Sequence, residues 1–287
     1  MAVKVVTDST SDLHPELAES LGLTVVPLNV HFGTEEYYKD GIDLSADEFY
    51  ERLVGGTELP KTSQPSVGDF IEVYERLGRD ADGILSVHIS SKLSGTFNSA
   101  VQARAQVDVG CPIEVIDTLQ VSMGLGMTAQ EAARAAQGGA GLEDVAEAAR
   151  NAAERCQCIV LFETLEYLEK GGRIGKARAL LGTLLRIRPL IIIQEGEVHE
   201  LGKERTRTRG IARLKDIARG YAPLDEVCVL YSTTLDEAES IAEDLSDLLP
   251  DDRKPSIGRF GPVIGTYTGP GVLGIGLLRS ATPSRGN

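Results

Sequence analysis

Three short stretches crowd hydroxyl groups and glycines into places where the chain changes direction. They are KTSQPS (Lys61–Ser66), SSKLSGT (Ser90–Thr96) and GPVIGTYTGPG (Gly261–Gly271). The first two lie directly before segments with helical apolar spacing. The start of a helix offers unpaired backbone N–H groups and the positive end of the peptide dipole, so hydroxyl-rich loops there can hold an anion. Gly95 lets the backbone come close to a ligand. Helix capping explains any one of these loops. The three together point to a cradle for a carboxylate or a phosphate.

Other candidate chemistry is less well supported. The 4 histidines, His14, His31, His88 and His199, lie in no motif that sets one beside a serine. Val121-Ser122-Met123-Gly124 is only the second half of a nucleophile elbow. Asp8, Ser9 and Asp117 sit at strand ends. There they suit either plain capping or a stand-alone enzyme acting on a small carboxylate or phosphate. Gly269–Gly274 matches G-x-G-x-x-G but leads into a strand, against a dinucleotide site. Gly171–Lys176 is one residue short of a phosphate loop, and Ala177 replaces the Ser or Thr that would hold magnesium. Arg173, within that stretch, is either a cation for an anionic group or a capper of helix carbonyls. The 4 cysteines form no Cys-x-x-Cys pair, so no zinc site is expected, and no other metal or cofactor.

The elements that must position these loops alternate. Strands are expected at Val3–Val6, Leu23–Val30, Gly83–Ile89 and Ile113–Ile116. Helices are expected at Leu13–Leu21, Asp43–Arg52, Val67–Leu77, Thr96–Val107, Met123–Ala136 and Leu142–Arg155. That rhythm implies a mostly parallel sheet covered on both faces. After Cys158 it changes. A helix ends at Gly171-Gly172, and another is expected over Ala177–Leu185. Glu195–Val198 reads as a hairpin turn between Pro189–Gln194 and His199–Gly202. Helices at Ile211–Gly220 and Leu235–Leu249 and strands at Glu226–Tyr231, Arg259–Ile264 and Gly274–Leu278 complete the chain. The prediction is an α/β N-terminal domain over residues 1–157 and an α+β C-terminal domain over 158–287, its sheet partly antiparallel.

Composition narrows the partners. The 287 residues carry a formal charge of −14, so phosphate backbones and anionic membrane surfaces are repelled. The opening residues show no leader, and the apolar run at Leu180–Ile193 is broken by Arg186, Arg188 and Pro189. A cytoplasmic protein without stable membrane insertion is expected.

The segments TDSTSDL (Thr7–Leu13), KTSQPS, SSKLSGTFNSA (Ser90–Ala100), LEYLEKGGRIG (Leu165–Gly175) and GPVIGTYTGPG together resemble the DegV family of fatty-acid-binding proteins. They occur in family order over nearly the whole chain. The resemblance implies a Rossmann-like N-terminal domain, a C-terminal domain with a split sheet, and a ligand between them. It implies one long-chain fatty acid in a tunnel, presented to a separate ATP-dependent kinase that forms acyl phosphate for phospholipid synthesis. Thr62 and Ser94 match the hydroxyls that hold the carboxylate, Gly95 the glycine beside the head group, and Arg173 the nearby arginine. Thr266 and Tyr267 match the last-loop ligand contacts, and Arg205 an exposed arginine that helps to dock the kinase. Tyr267 departs from the histidine of many members, and a phenol carries no positive charge near neutral pH. Ile264, Val272, Leu273 and Leu180–Leu185 are candidate tunnel walls, with core packing as their alternative.

Overall fold

The computed structural model describes residues 2–56, 58–180, 187–250 and 253–281. The first sheet is wholly parallel. It joins β1 (Ala2–Asp8), β2 (Leu23–Val26), β6 (Ala81–His88) and β7 (Ile113–Asp117) in the order β2-β1-β6-β7. Side chains alternate across its plane. Val6 and Ile84 meet Phe70 and Tyr74 of α3 (Val67–Gly78) and Ala100 of α4 (Thr96–Gln106) on one face. Val5, Leu85 and Val87 meet Leu125 and Ala129 of α5 (Met123–Gln137) and Val145 of α6 (Leu142–Arg155) on the other. Burial on both faces is why these strands read as apolar runs.

A small antiparallel sheet, β4-β3-β5, stands beside it, built from β3 (Asn29–Phe32), β4 (Glu36–Lys39) and β5 (Lys61–Ser63). The expected single strand Leu23–Val30 is therefore two. Pro27, with no N–H to give a ladder, separates β2 from β3. Neither β4 nor β5 was expected from the sequence. Helix α1 (Pro15–Ser20) is shorter than expected, with Pro15 at its first position, while Ser45 caps α2 (Ala46–Gly55) as anticipated.

The third sheet has six strands in the order β10-β9-β8-β13-β11-β12. They are β8 (Cys156–Leu161), β9 (Arg188–Gln194), β10 (Glu197–Glu204), β11 (Leu224–Tyr231), β12 (Ser256–Arg259) and β13 (Leu273–Arg279). All neighbours are antiparallel except β11 and β12. Glu195 and Gly196, both with positive φ, make the tight β9–β10 turn. On one face lie α8 (Arg207–Arg219) and α9 (Leu235–Asp244), and the other packs on α5, which also touches β1. The fold is thus a mixed α/β structure of two lobes, with α5 between their sheets.

The other helices are α7 (Glu166–Lys170), ending at Gly171-Gly172 as expected, and α10 (Pro262–Thr268). The latter corrects the expected strand at Arg259–Ile264. Pairing stops at Arg259, and Pro262 at the first helical position sets the backbone turning. Gly175–Leu180 is a 3-10 turn rather than the start of a longer α-helix, and residues 181–185 lie outside the described residues. The expected helix at Leu235–Leu249 likewise ends at Asp244, with a 3-10 turn following.

Candidate functional site

A cavity of about 240 Å³ lies between the lobes. Its walls are mostly apolar and come from both lobes: Leu28, Ile89, Leu93 and Val121 from one, Phe162, Leu168, Ile191 and Phe260 from the other. Cys158 adds to them, and burial pushes its thiol up to about 12, so it stays neutral. Polar groups gather where the loops meet. These are Thr62, Ser63 and Gln64 from β5 and the turn after it, Ser94 from the loop before α4, Arg173 after α7, and Tyr267 of α10.

Local structure fixes each of them. Val30 of β3 pairs with Thr62, which places the hydroxyl of Thr62 2.6 Å from that of Tyr267, across the lobe boundary. The Ser94 hydroxyl lies 2.9 Å from that of Thr96 and accepts the Thr96 N–H at 3.3 Å. Arg173 donates Nε to the Leu93 carbonyl at 3.1 Å and Nη1 to the Gly171 carbonyl at 2.9 Å, with its guanidinium 5.1 Å from the Tyr267 ring centre. Arg173 therefore does both things the sequence allowed: it caps the end of α7 and supplies the cavity's cation. The loops are pinned as well, since the Ser90 hydroxyl donates to the Gly196 carbonyl at 2.8 Å.

Thr62, Ser94, Arg173 and Tyr267 thus come together. Gly95 and Thr266 do not join the lining among the described residues. The Gln64 side chain covers Gly95, and a Cβ there would sit 2.3 Å from Gln64 Oε1. So the glycine makes room for an amide that lines the cavity. Thr266 returns its hydroxyl to the Pro262 carbonyl at 3.0 Å and borders a separate outer cleft shared with Lys61, Lys170 and Arg173. Of the candidate walls, Ile264 lines the cavity, whereas Val272, Leu273 and Leu180 are buried in the core.

The strand-end polar groups are consumed by structure. Ser9 accepts the Leu28 N–H at 3.0 Å, and Asp117 accepts those of Ser91 and Leu119 at 3.1 and 3.2 Å. Asp8 contacts His88 Nδ1 at 2.9 Å, and His88 Nε2 lies 2.7 Å from the Ser86 hydroxyl. A histidine does stand beside a serine after all. The signal was the two-residue spacing on β6, which puts Ser86 and His88 on one face of the strand. Asp8, Ser86 and His88 are all fully buried (0% exposed), away from any substrate.

The basic run Lys203–Lys215 divides in two. Arg207 binds Glu237 and Glu163, and Lys215 binds Asp244. Lys203, Arg205, Arg209 and Arg213 are exposed and make no ion pair among the described residues. No described helix is long and apolar enough to cross a membrane.

The fold has known counterparts. A DegV domain-containing protein of Streptomyces coelicolor is 37% identical over 277 residues, covering 95% of this chain and 97% of that protein. A solved DegV-family structure from Thermus thermophilus, described as binding fatty acid, superposes with a TM-score of 0.88 at 34% identity, over 97% of this chain and 99% of that one. DegV of Bacillus subtilis, described as a fatty acid binding protein, gives 0.87 at 33% identity with the same coverage. The family model described as "Uncharacterised protein, DegV family COG1307" matches residues 2–280, and the chain belongs to that family.

Proposed function

We propose that this chain binds one long-chain fatty acid between its lobes, divided at residues 157 and 158, and presents it to a separate ATP-dependent kinase. The observation that carries this reading is the mostly apolar interlobe cavity whose lining holds Thr62 and Arg173 in contact with Tyr267, with Ser94 in the same wall. Burying the roughly 14 methylenes of a sixteen-carbon chain, at ~0.8 kcal/mol each, contributes on the order of 11 kcal/mol before ordering costs. Hydrogen bonds to the carboxylate add roughly 1.5–3 kcal/mol each. The tail therefore supplies most of the affinity and the hydroxyls set the register. The head group would rest at the Thr62–Tyr267 pair, beside the outer cleft from which a kinase could reach it.

On this reading the protein works in the cytoplasm and is a carrier, not itself a catalyst. Arg205 and its exposed neighbours form the dock for an acidic surface of the kinase. Organic extraction of the purified chain, followed by mass spectrometry, should yield one fatty acid per chain. Recovery of none, with no uptake of added palmitate or oleate, overturns the reading. With a fatty-acid kinase and ATP, the loaded chain should give acyl phosphate that neither protein makes alone. Acyl phosphate from this chain by itself would make it an enzyme instead.

A further inference from the structure

The wall that α10 lends to the cavity is held from the opposite lobe by two carboxyl groups. Asp12, its backbone left-handed at φ 51, accepts the Gly261 N–H at 2.9 Å and the Ser122 hydroxyl at 2.5 Å. Asp40 lies close to the Val263 N–H and the Ser9 hydroxyl, and both favour its ionised form against burial. Gly261 and Val263 belong to the cap and first turn of α10, whose N–H groups have no partner inside the helix. Gly261 has no side chain with which to cap them. Both carboxyls converge there: a Cβ on Gly261 would lie 3.1 Å from Asp12 Oδ1 and 3.6 Å from Asp40 Oδ1. The same short helix turns Val263, Ile264, Tyr267 and Thr268 towards the cavity.

We propose that Asp12 and Asp40 are positioning residues for the bound acyl chain, a proton-sensitive clamp that fixes α10, and Tyr267 with it, across the lobe boundary. Among the described residues neither carboxyl makes an ion pair. The groups around them do not neutralise them. Asp8 of β1 raises both, and its own partner is His88. Tyr50 of α2 donates to the Phe260 carbonyl at 3.1 Å. Arg259 of β12 lies over the Tyr50 ring and is bound to Asp47. Cys158 of β8 and Cys228 of β11 are neutral thiols, each pushed up to about 12 by burial. On the far side Asp12 and Asp40 also border a groove whose other titratable residues are His14, Glu19, Tyr231, Glu239 and Arg259.

Burial pushes the Asp12 carboxyl up to about 8 and that of Asp40 up to about 7, against the hydrogen bonds that pull them down. The sign follows. Carboxyls raised by closure are protonated in the closed state and ionised once water reaches them. Closure thus takes up protons above their ordinary value of 3.8, and it weakens as pH rises from there, levelling off above about 7 for Asp40 and about 8 for Asp12. A closed, loaded protein at mildly acid pH becomes a looser one at mildly alkaline pH.

The inference takes its ligand from the fatty-acid reading but not its clamp, so two readouts are needed. The first is oleate affinity from about pH 6 to about pH 9, in the wild type and in the double variant Asp12→Asn/Asp40→Asn. Asparagine keeps the size and bonding of a protonated carboxyl and cannot ionise. Wild-type affinity should fall about 10-fold or more over that range, while the variant's stays flat. The titration of oleate itself is common to both proteins and drops out. The second readout is hydrogen exchange at the amides of residues 261–268 without ligand. The wild-type rate should exceed the variant's by a factor that grows with pH. A constant ratio, or an equal affinity loss in both proteins, overturns the clamp. If oleate binds neither protein at any pH, the fatty-acid reading fails and the exchange ratio still decides. Asp12→Ala should exchange fast at every pH, and if it does not fold the Asn pair remains decisive.

Discussion

Ser86 and Thr62 are both strand hydroxyls in contact with a tyrosine hydroxyl, that of Tyr74 at 2.8 Å for one and Tyr267 at 2.6 Å for the other. Around Ser86 the network continues through His88 to Asp8, which also accepts the N–H groups of Ile89 and Thr10. Ile89 and Thr10 border the interlobe cavity, but Asp8, His88, Ser86 and Tyr74 themselves line none of the described cavities. Around Thr62 the network stops after one bond and borders the interlobe cavity. A hydroxyl can donate once and accept twice, so the Thr62–Tyr267 pair keeps capacity that a ligand can use. The aspartate, histidine and serine have the order of a hydrolytic triad, but burial makes the set a structural brace. What separates a brace from a site here is not residue type but whether hydrogen-bonding capacity is left over beside open space.

The largest effect should come from breaking the brace. His88→Ala leaves Asp8 buried without its ring partner. Leaving a buried acceptor without its hydrogen-bond partner costs roughly 1–3 kcal/mol, and the emptied volume of the ring adds to that. Urea unfolding of the variant should show that loss, with the fraction that remains folded still binding fatty acid. A cost below about 1 kcal/mol, in the range of an exposed pair, would mean that the network is not the brace its geometry describes.

Breaking the other network should reverse the pattern. Thr62 is half-buried on a short strand and Ser94 is half-buried in a loop. Thr62→Ala with Ser94→Ala should change unfolding free energy by about 1 kcal/mol or less. The same double variant should weaken palmitate or oleate binding by roughly 10- to 100-fold, from the lost bonds to a carboxylate. Titration calorimetry and thermal melts on one preparation check both halves. Unchanged affinity and unchanged ligand exchange would remove these hydroxyls from the head-group site.

The contrast also explains what could be read in the sequence. The parallel sheet was legible because β1 and β6 are buried on both faces, and such strands leave a continuous apolar signature. The hydroxyl loops were legible as segments, since Ser, Thr and Gly before a helix have few uses. Which member of a loop faces the cavity was not. Gly95 and Gln64 lie 31 positions apart and trade places only in three dimensions. The strand expected at Arg259–Ile264 failed because β-branched residues around Pro262 look extended until the proline is placed at the start of a helix. The clamp on α10 was invisible for a related reason. Nothing in the sequence singles out Asp12 or Asp40, and only the packing of the two lobes brings them to Gly261.

A smaller effect should follow from changing the charge of the head-group site. Tyr267→His supplies the residue that the family resemblance leads one to expect at this position. The imidazole can keep contact with Thr62, and below its ordinary pKa of about 6.5 it adds a positive charge near the carboxylate. Fatty-acid affinity should then rise about 2- to 10-fold, or ~0.4–1.4 kcal/mol, as pH falls from about 8 to about 6. The clamp has a pH dependence of its own, so the comparison is between residue 267 as His and as Tyr in the Asp12→Asn/Asp40→Asn background, where the 4 native histidines are common to both proteins. A flat profile there would mean that the carboxylate does not sit beside residue 267.

The smallest intrinsic effect should come from Arg205→Glu. Arg205 is exposed and makes no ion pair among the described residues, so stability should move by less than about 0.5 kcal/mol and fatty-acid affinity not at all. Its effect belongs to the partner. Reversing the charge should lower the rate at which a fatty-acid kinase turns over the loaded chain at low salt. The gap to the wild type should close as ionic strength rises and the Debye length falls below about 8 Å. Lys215→Glu is the matched control, because Lys215 already pairs with Asp244, and its reversal should cost local stability more than docking. Equal kinase rates for Arg205→Glu and the wild type at every salt concentration would show that the exposed half of the basic run is solvated surface, leaving the dock to be sought around the outer cleft beside Lys61 and Lys170.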